Sequence, residues 1–259
     1  MSRPRPAQPA DGLAWITGAS SGIGRQLALE LVARGWTVAA TARREAELAA
    51  LAAEGKGRVV AAPADVTDPG AVAAAVHRVR ADSGRPIALA VLNAGTYIHD
   101  SAQRFDLDAF ALQVRVNILG TANALAAVMP AMIGRRSGQI AIVSSVAGYR
   151  GLPRAIAYSA TKAALIAMAE SLKFDLDRAG VMINLVNPGF VKTPLTDRND
   201  FPMPFLMPVE AAAKRIADGL ARGRFEIAFP RRFAAILKLM RILPYALYFP
   251  VVGRTTQRR

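Results

Sequence analysis

No cysteine occurs anywhere in the 259 residues. That excludes a disulfide scaffold, a thiolate metal site and a cysteine nucleophile, and it gives no sign of export. Histidine is almost as scarce. His77 and His99 are the only two; neither has a partner at metal-ligand spacing, both are expected on the surface or in loops, and no metal is expected. Acids are in deficit, 19 against 33 Lys and Arg, for a formal charge of +14. The deficit is uneven: residues 222–259 hold nine Lys/Arg and one acid, a net of +8. Such charge bears on partners and solubility rather than on fold.

Long apolar runs free of interruption are also missing. Val116 to Gly134 carries no charge over about the length of a membrane span, but it contains Asn117, Thr121, Asn123 and Pro130. It reads as a helix buried in a soluble core. Ile242 to Val252 is short and broken by Pro244 and Pro250. Met1 to Gly12 is basic and proline-rich without an apolar centre, unlike a signal peptide. A cytoplasmic location is expected.

What is present is a globular composition, 53% hydrophobic and 20% charged. Short apolar runs alternate with helical patterns. Strands are expected at 13–17, 37–42, 59–62, 87–92, 139–143, 182–186 and 225–229. Helices are expected after Gly24 and at 45–53, 69–83, 107–133, 156–179 and 209–222. Alternation of this kind implies a parallel sheet covered on both faces, and nearly all-apolar strands fit burial on both sides. The expectation is a Rossmann-type, doubly wound seven-stranded α/β fold with a C-terminal amphipathic helical extension. Residues 1–11 read as a flexible N-terminus, 12–230 as one domain and 231–259 as its extension. Segment 190–208, rich in proline, reads as a lid or binding loop.

The first strand ends in Thr17-Gly18-Ala19-Ser20-Ser21-Gly22-Ile23-Gly24. A strand, a glycine turn and a helix place backbone N–H groups and a helix N-terminus where a pyrophosphate can sit. The second strand ends at Arg43-Arg44 and lacks the acid that would bind a ribose 2′-hydroxyl. Arginine there suits a 2′-phosphate, so NADP is expected rather than NAD. Further along, Tyr158 and Lys162 lie four residues apart at a helix start and share one face. A lysine cation beside a phenol favours the phenolate and lowers a pKa that is otherwise about 10. The pair is a plausible acid/base couple.

The wider pattern resembles the short-chain dehydrogenase/reductase family, in its compact single-domain branch, over about residues 12–230. Thr17 to Gly24 resembles the family's cofactor motif, Asp65-Val66 its adenine-contacting pair and Asn93-Ala94-Gly95 its fourth-strand motif. Asn117 sits at the catalytic asparagine, and Ser145 precedes Tyr158 by the family's 13 residues. Asn187-Pro188-Gly189, followed by Val191 and Thr193, resembles the segment that contacts nicotinamide. The resemblance implies an oxidoreductase interconverting a carbonyl and a secondary alcohol. Tyr158 is then the acid/base, Ser145 holds the substrate oxygen, Lys162 holds the nicotinamide ribose and lowers the tyrosine pKa, and Asn117 positions a relay water. It also implies a homo-oligomer, dimer or tetramer, through the helices near 107–133 and 156–179. The alternative is a non-catalytic cofactor-binding or membrane-surface interaction protein on the same fold.

Beyond residue 230 the chain departs from the family pattern. Arg231 to Leu243 has Phe233, Ile236, Leu237, Met240 and Leu243 at helical spacing, with Arg231, Lys238 and Arg241 on another side. This suits an anionic membrane surface, or packing on the domain's own core or a second subunit. No nucleic acid partner is expected, because no motif for one accompanies the charge. Phe201, Met203, Phe205, Leu206 and Met207 make the lid segment apolar, which points to a small lipophilic substrate.

Overall fold

The computed structural model describes residues 4–199 and 201–256. Five of its strands are runs of buried residues: β1 (Leu13–Thr17), β2 (Val38–Thr41), β4 (Ile87–Leu92), β5 (Gln139–Val143) and, except at its first residue, β6 (Met182–Pro188). A strand reads this way when helices cover both faces of its sheet. The edge strands β3 (Val59–Ala61) and β7 (Glu226–Phe229) are more open. All seven pair in parallel in the order β3-β2-β1-β4-β5-β6-β7. The order reverses between β1 and β4. In such sheets the crevice at that reversal, at the carboxyl ends of the strands, is where ligands bind.

Helices α1 (Gly22–Ala33), α2 (Glu45–Glu54) and α7 (Val209–Ala221) cover one face through Leu27, Leu31, Leu48, Leu51 and Ile216. The other face carries α3 (Pro69–Ser83), α4 (Leu107–Gln113), α5 (Gly120–Gly134) and α6 (Ile156–Arg178). Its core includes Val72, Val76, Leu125, Val128, Leu165 and Ile166. The helix expected over 107–133 is not one regular helix. A π-helical turn, Val114–Leu119, joins α4 to α5 and contains Asn117. Such turns occur mostly as single insertions at functional positions. Leu107–Gly134 is also the one described stretch long and apolar enough to cross a membrane. Its Leu125, Val128 and Met132 pack into the core, and its polar Asn117 and Thr121 are buried, as in a core helix of a globular domain.

Residues 4–11, expected to be flexible, lie against the rest of the chain. The Ala7 amide donates to the Gln139 side chain at 2.8 Å, Arg85 donates to the Pro9 carbonyl at 2.6 Å, and Arg5 pairs with Asp11. The C-terminal segment forms two helices, α8 (Arg231–Ile242) and α9 (Tyr245–Thr256). The second departs from the expectation, in which Pro244 and Pro250 interrupt this stretch. Pro250 lies inside α9. It removes one bond to the carbonyl of Ala246, an exposed residue, so solvent can take up the acceptor.

Candidate active site

The glycine turn closes over the reversal of the sheet. Gly18 has φ +69°, a left-handed conformation in which a side chain is strained, and a Cβ there would stand 2.7 Å from Ala94 Cα. At Gly24 a Cβ would come within 2.4 Å of the Gly18 carbonyl oxygen and 2.5 Å of Asn93 Nδ2. These glycines therefore let α1 approach the ends of β1 and β4 closely. Thr17 and Asn93 stitch that approach together. The Thr17 hydroxyl accepts from the amides of Asn93 and Ala94, at 3.0 and 3.1 Å. Asn93 Nδ2 donates to the carbonyls of Thr17 and Gly18.

Ser21 caps α1 without a side-chain hydrogen bond to its first turn. The leading N–H groups of a helix need acceptors, and a phosphate oxygen supplies them. Half-buried Ser20 and Ile23 complete the turn. Thr193 arrives from the lid segment; its Cγ2 lies 3.3 Å from where a Gly22 Cβ would be. The donor-rich, side-chain-free cradle fits a dinucleotide pyrophosphate.

At the end of β2, Arg44 donates to the Ser20 hydroxyl at 3.0 Å and pairs with Glu47 at 3.2 Å. Arg43 is largely exposed and lies 3.8 Å from Asp65. Asp65 also accepts from the Thr67 amide and hydroxyl. Val66 is buried against Gly120, where a Cβ would meet it at 2.8 Å, and its carbonyl accepts from Asn123.

The four expected catalytic residues converge from four places: the π turn, the end of β5, and two successive turns of α6. Lys162 is buried and donates to the Val143 carbonyl at 3.0 Å; its Nζ is 5.6 Å from the Tyr158 ring centroid. Asn117 is fully buried. Its Oδ1 accepts from the Thr96 amide at 2.8 Å, and its Nδ2 donates to the Thr96 carbonyl and the Thr161 hydroxyl, both at 3.0 Å. Ser145 donates to the Pro188 carbonyl at 3.3 Å and accepts from the Ala147 amide at 3.1 Å, and it is near enough to the Tyr158 phenol to favour its phenolate. A Cβ at exposed Gly95 would stand 3.5 Å from Lys162 Nζ and 3.3 Å from Asn117 Oδ1, so this glycine leaves an approach to the lysine open.

Electrostatics here differ from the sequence expectation in one respect. Burial pushes the Tyr158 phenol above its ordinary value, and the opposing pull comes from the Ser145 hydrogen bond. The net direction is therefore upward, where a lowering was expected. Burial instead pushes the lysine down to about 8, because a charged ammonium is disfavoured away from water.

Pro188, Gly189 and Val191 lie at the end of β6 but serve packing as well. Gly189 donates to the Phe229 carbonyl at 2.7 Å, and a Cβ there would meet Phe233 at 3.0 Å. Val191 bridges to Met207 and closes the base of the lid segment. Phe233 of α8 stacks on Phe190 at 5.8 Å between centroids and packs on Phe205 at 5.7 Å; Phe190 also meets Phe201. Phe201 in turn lies under Arg154, four residues before Tyr158. Of the two histidines, His77 is exposed on α3, and His99 is exposed in a loop, accepting from Arg154 Nε at 2.5 Å. Among the described residues no cluster of His, Cys, Asp and Glu could hold a metal.

Three residues of the site escaped sequence reasoning. Tyr97 packs edge-on against Tyr158 with centroids 5.1 Å apart. Thr161 bonds Asn117, as above. Asp100 is buried and accepts from the amides of Ile156 and Ala157, at 2.6 and 2.8 Å, so it caps α6 from 56 residues away. Ala155, at the cap position itself, has no side chain able to do so.

Comparison with known proteins agrees with this fold. The family model for short chain dehydrogenases matches residues 13–201. An uncharacterised oxidoreductase of Myxococcus xanthus is 40% identical over 238 residues, 91% of this chain and 94% of that protein. The structure of ElxO with NADP bound superimposes with a TM-score of 0.75 at 27% identity, covering 84% of this chain and 97% of that one. A 3-oxoacyl-[acyl-carrier protein] reductase of Brucella melitensis with bound NAD gives 0.74 at 29% identity, covering 87% and 92%.

Proposed function

The chain belongs to the short chain dehydrogenase family, an NAD(P)-dependent oxidoreductase of the Rossmann type, and from that premise we propose that it is a cytoplasmic, NADP(H)-dependent reductase of lipophilic carbonyl compounds. The observation that carries the reading is the convergence of Ser145, Tyr158, Lys162 and Asn117 beside the glycine cradle.

The residues have distinct tasks. Gly18, Gly22, Gly24 and the first turn of α1 hold the pyrophosphate. Asp65 and Val66 border the adenine, while Ala94, Gly95, Pro188, Gly189, Val191 and Thr193 border the nicotinamide half. Lys162, reached past Gly95, holds the ribose hydroxyls. When bound, the nicotinamide supplies the hydride. Ser145 donates a hydrogen bond to the substrate oxygen. Tyr158 gives its phenolic proton to that oxygen in reduction and takes it back in oxidation. Asn117, fixed by Thr96 and Thr161, positions a water through which the proton is replaced.

NADP preference rests on Arg43 and Arg44 at the end of β2, where no acid competes for a 2′-hydroxyl. Purified protein titrated with NADPH and NADH is expected to bind NADPH at least tenfold more tightly. Arg43→Ala should erase most of that difference and leave NADH binding unchanged. Equal binding of the two cofactors by wild type would sink the NADP assignment.

Lys162 fixes a pH dependence. Below about 8 it is an ammonium that steadies the phenolate left when Tyr158 gives up its proton. Above that it loses its charge, so the reduction rate is expected to fall as pH rises past about 8. A rate flat from pH 6 to 10 contradicts this role.

Lipophilic substrate is supported by the aromatic group Phe190, Phe201, Phe205 and Phe233, together with Tyr97 against Tyr158. Homo-oligomerisation is supported by exposed Leu107, Leu119 and Phe174 on the α4–α5 and α6 helices. Light scattering at micromolar concentration should give a dimer or tetramer whose mass drops in Phe174→Glu. A wild-type monomer argues against it.

A further inference from the structure

The C-terminal helices are apolar on two opposite sides, and among the described residues one of those sides packs on the domain. The inner side of α8 buries Ala234 and Leu237 in the core beside Tyr149 and Leu185. Tyr248 and Val252 of α9 are buried as well. The docking is held by Arg150. Its guanidinium donates to the carbonyls of Met240, Arg241 and Leu243, at 2.6, 3.3 and 2.7 Å, and so covers the C-terminus of α8. It also lies 3.8 and 4.8 Å from the ring centroids of Tyr248 and Tyr245. Tyr248 donates to the Gly151 carbonyl at 2.5 Å, and Lys238 pairs with Glu226. This answers half of the sequence expectation: the extension packs on its own domain.

Most of the outer side lies away from that packing, although Arg150 also reaches Tyr245. Ile236, Leu239 and Ile242 are 48%, 62% and 75% exposed, and Tyr245 and Phe249, stacked on each other at 5.6 Å, are 70% and 64% exposed. On α8, helical spacing puts Ile236, Leu239 and Ile242 opposite Ala234 and Leu237. Arg231, Arg232, Arg241 and Arg254 are exposed along the same two helices. Water alone gives no reason for an apolar outer face of this size on helices whose inner face is already anchored.

We propose that the outer face of α8 and α9 docks on an anionic lipid surface. The charge decides between occupants. A second copy of this chain would bring the exposed Arg231, Arg232, Arg241 and Arg254 of both copies together, so self-association through these two helices is opposed by repulsion. An anionic bilayer meets the same arginines with opposite charge, receives the aliphatic side chains in its acyl boundary, and places Tyr245 and Phe249 at the headgroup level. The inner edge of the same helix reaches the site, since Phe233 contacts Phe190 and Phe205 of the lid segment. Resting on the reading that the substrate is a lipophilic carbonyl, the docked helix lets substrate pass from the lipid to Tyr158 past Phe233.

The test uses the full-length protein and sedimentation with vesicles of phosphatidylcholine alone or with 30% phosphatidylglycerol. Binding is expected to the anionic vesicles, at least tenfold weaker to the neutral ones, and weakened by raised salt. The double variant Ile242→Glu, Phe249→Glu should lose it by tenfold or more, while NADPH binding, followed by fluorescence, stays as in wild type. The variant sites are exposed, so the fold is retained; circular dichroism confirms it. Failure to sediment with anionic vesicles, or binding unaffected by the double variant, overturns the docking. A drop in the variant's mass by light scattering, without vesicle binding by wild type, assigns the face to a second copy and overturns it too. Because cofactor binding is read separately, loss of this inference is distinguishable from loss of the enzymatic one.

Discussion

Tyr158→Phe is expected to lower turnover by about a thousandfold, the range in which removal of a positioned acid/base falls. The ring keeps its place against Tyr97 and near Lys162, so folding and NADPH affinity should stay within a few-fold of wild type. The phenol is the group best placed to move a proton. Burial holds it protonated. Single-turnover reduction with saturating NADPH checks this. A rate within tenfold of wild type would falsify the assignment of Tyr158 as proton donor.

Asp100→Ala is the second large effect, and it acts on position rather than on chemistry. The buried carboxylate takes the two amides that open α6, and the neighbouring Ala155 offers no substitute. Removal leaves the buried Ala157 N–H without an acceptor, at about 1–3 kcal/mol, and turns the half-buried Ile156 N–H over to water, so a stability loss of about 2 kcal/mol is expected. Tyr158 stands in the same first turns and would move with them. Displacements of about 1 Å can cost a hundredfold in rate, and kcat should fall by tenfold or more. Asp100→Asn keeps one acceptor oxygen and should recover part of both losses. Denaturant unfolding and kcat measured together test it; an alanine variant as stable and as active as wild type would mean the cap is dispensable.

The contrast between those two residues explains what was legible. Tyr158 and Lys162 are four residues apart on one helix, so their proximity follows from helical geometry alone. Asp100 meets α6 across 56 residues, through a loop with no periodicity, and nothing local marks it. The five inner strands were legible because strands buried on both faces are continuous apolar runs, and the open edge strands β3 and β7 were legible by their place in the alternation and the glycine and proline that bound them. Their edges moved by a residue or two: β6 runs on through Pro188 where 186 was expected. The π turn at Val114–Leu119 was hidden, since composition does not distinguish one extra residue within a helix. α9 was hidden by its prolines, which read as breakers, while the partner that anchors it, Arg150, lies about a hundred residues earlier. The roles of Thr17 and Asn93 were legible as motif members but not as the stitches between β1 and β4. The net upward direction at the tyrosine was not legible, because desolvation depends on burial and burial is not written in the spacing.

The measurement closest to the central claim is NADPH consumption by the purified enzyme with a series of ketones of increasing apolar size. Tyr158→Phe and Arg43→Ala are run beside wild type. The expected result is consumption by wild type that rises with apolar size, vanishes in the tyrosine variant and weakens with NADPH, but not NADH, in the arginine variant. NADPH bound tightly yet never consumed with any carbonyl, or small polar ketones reduced best, would contradict it.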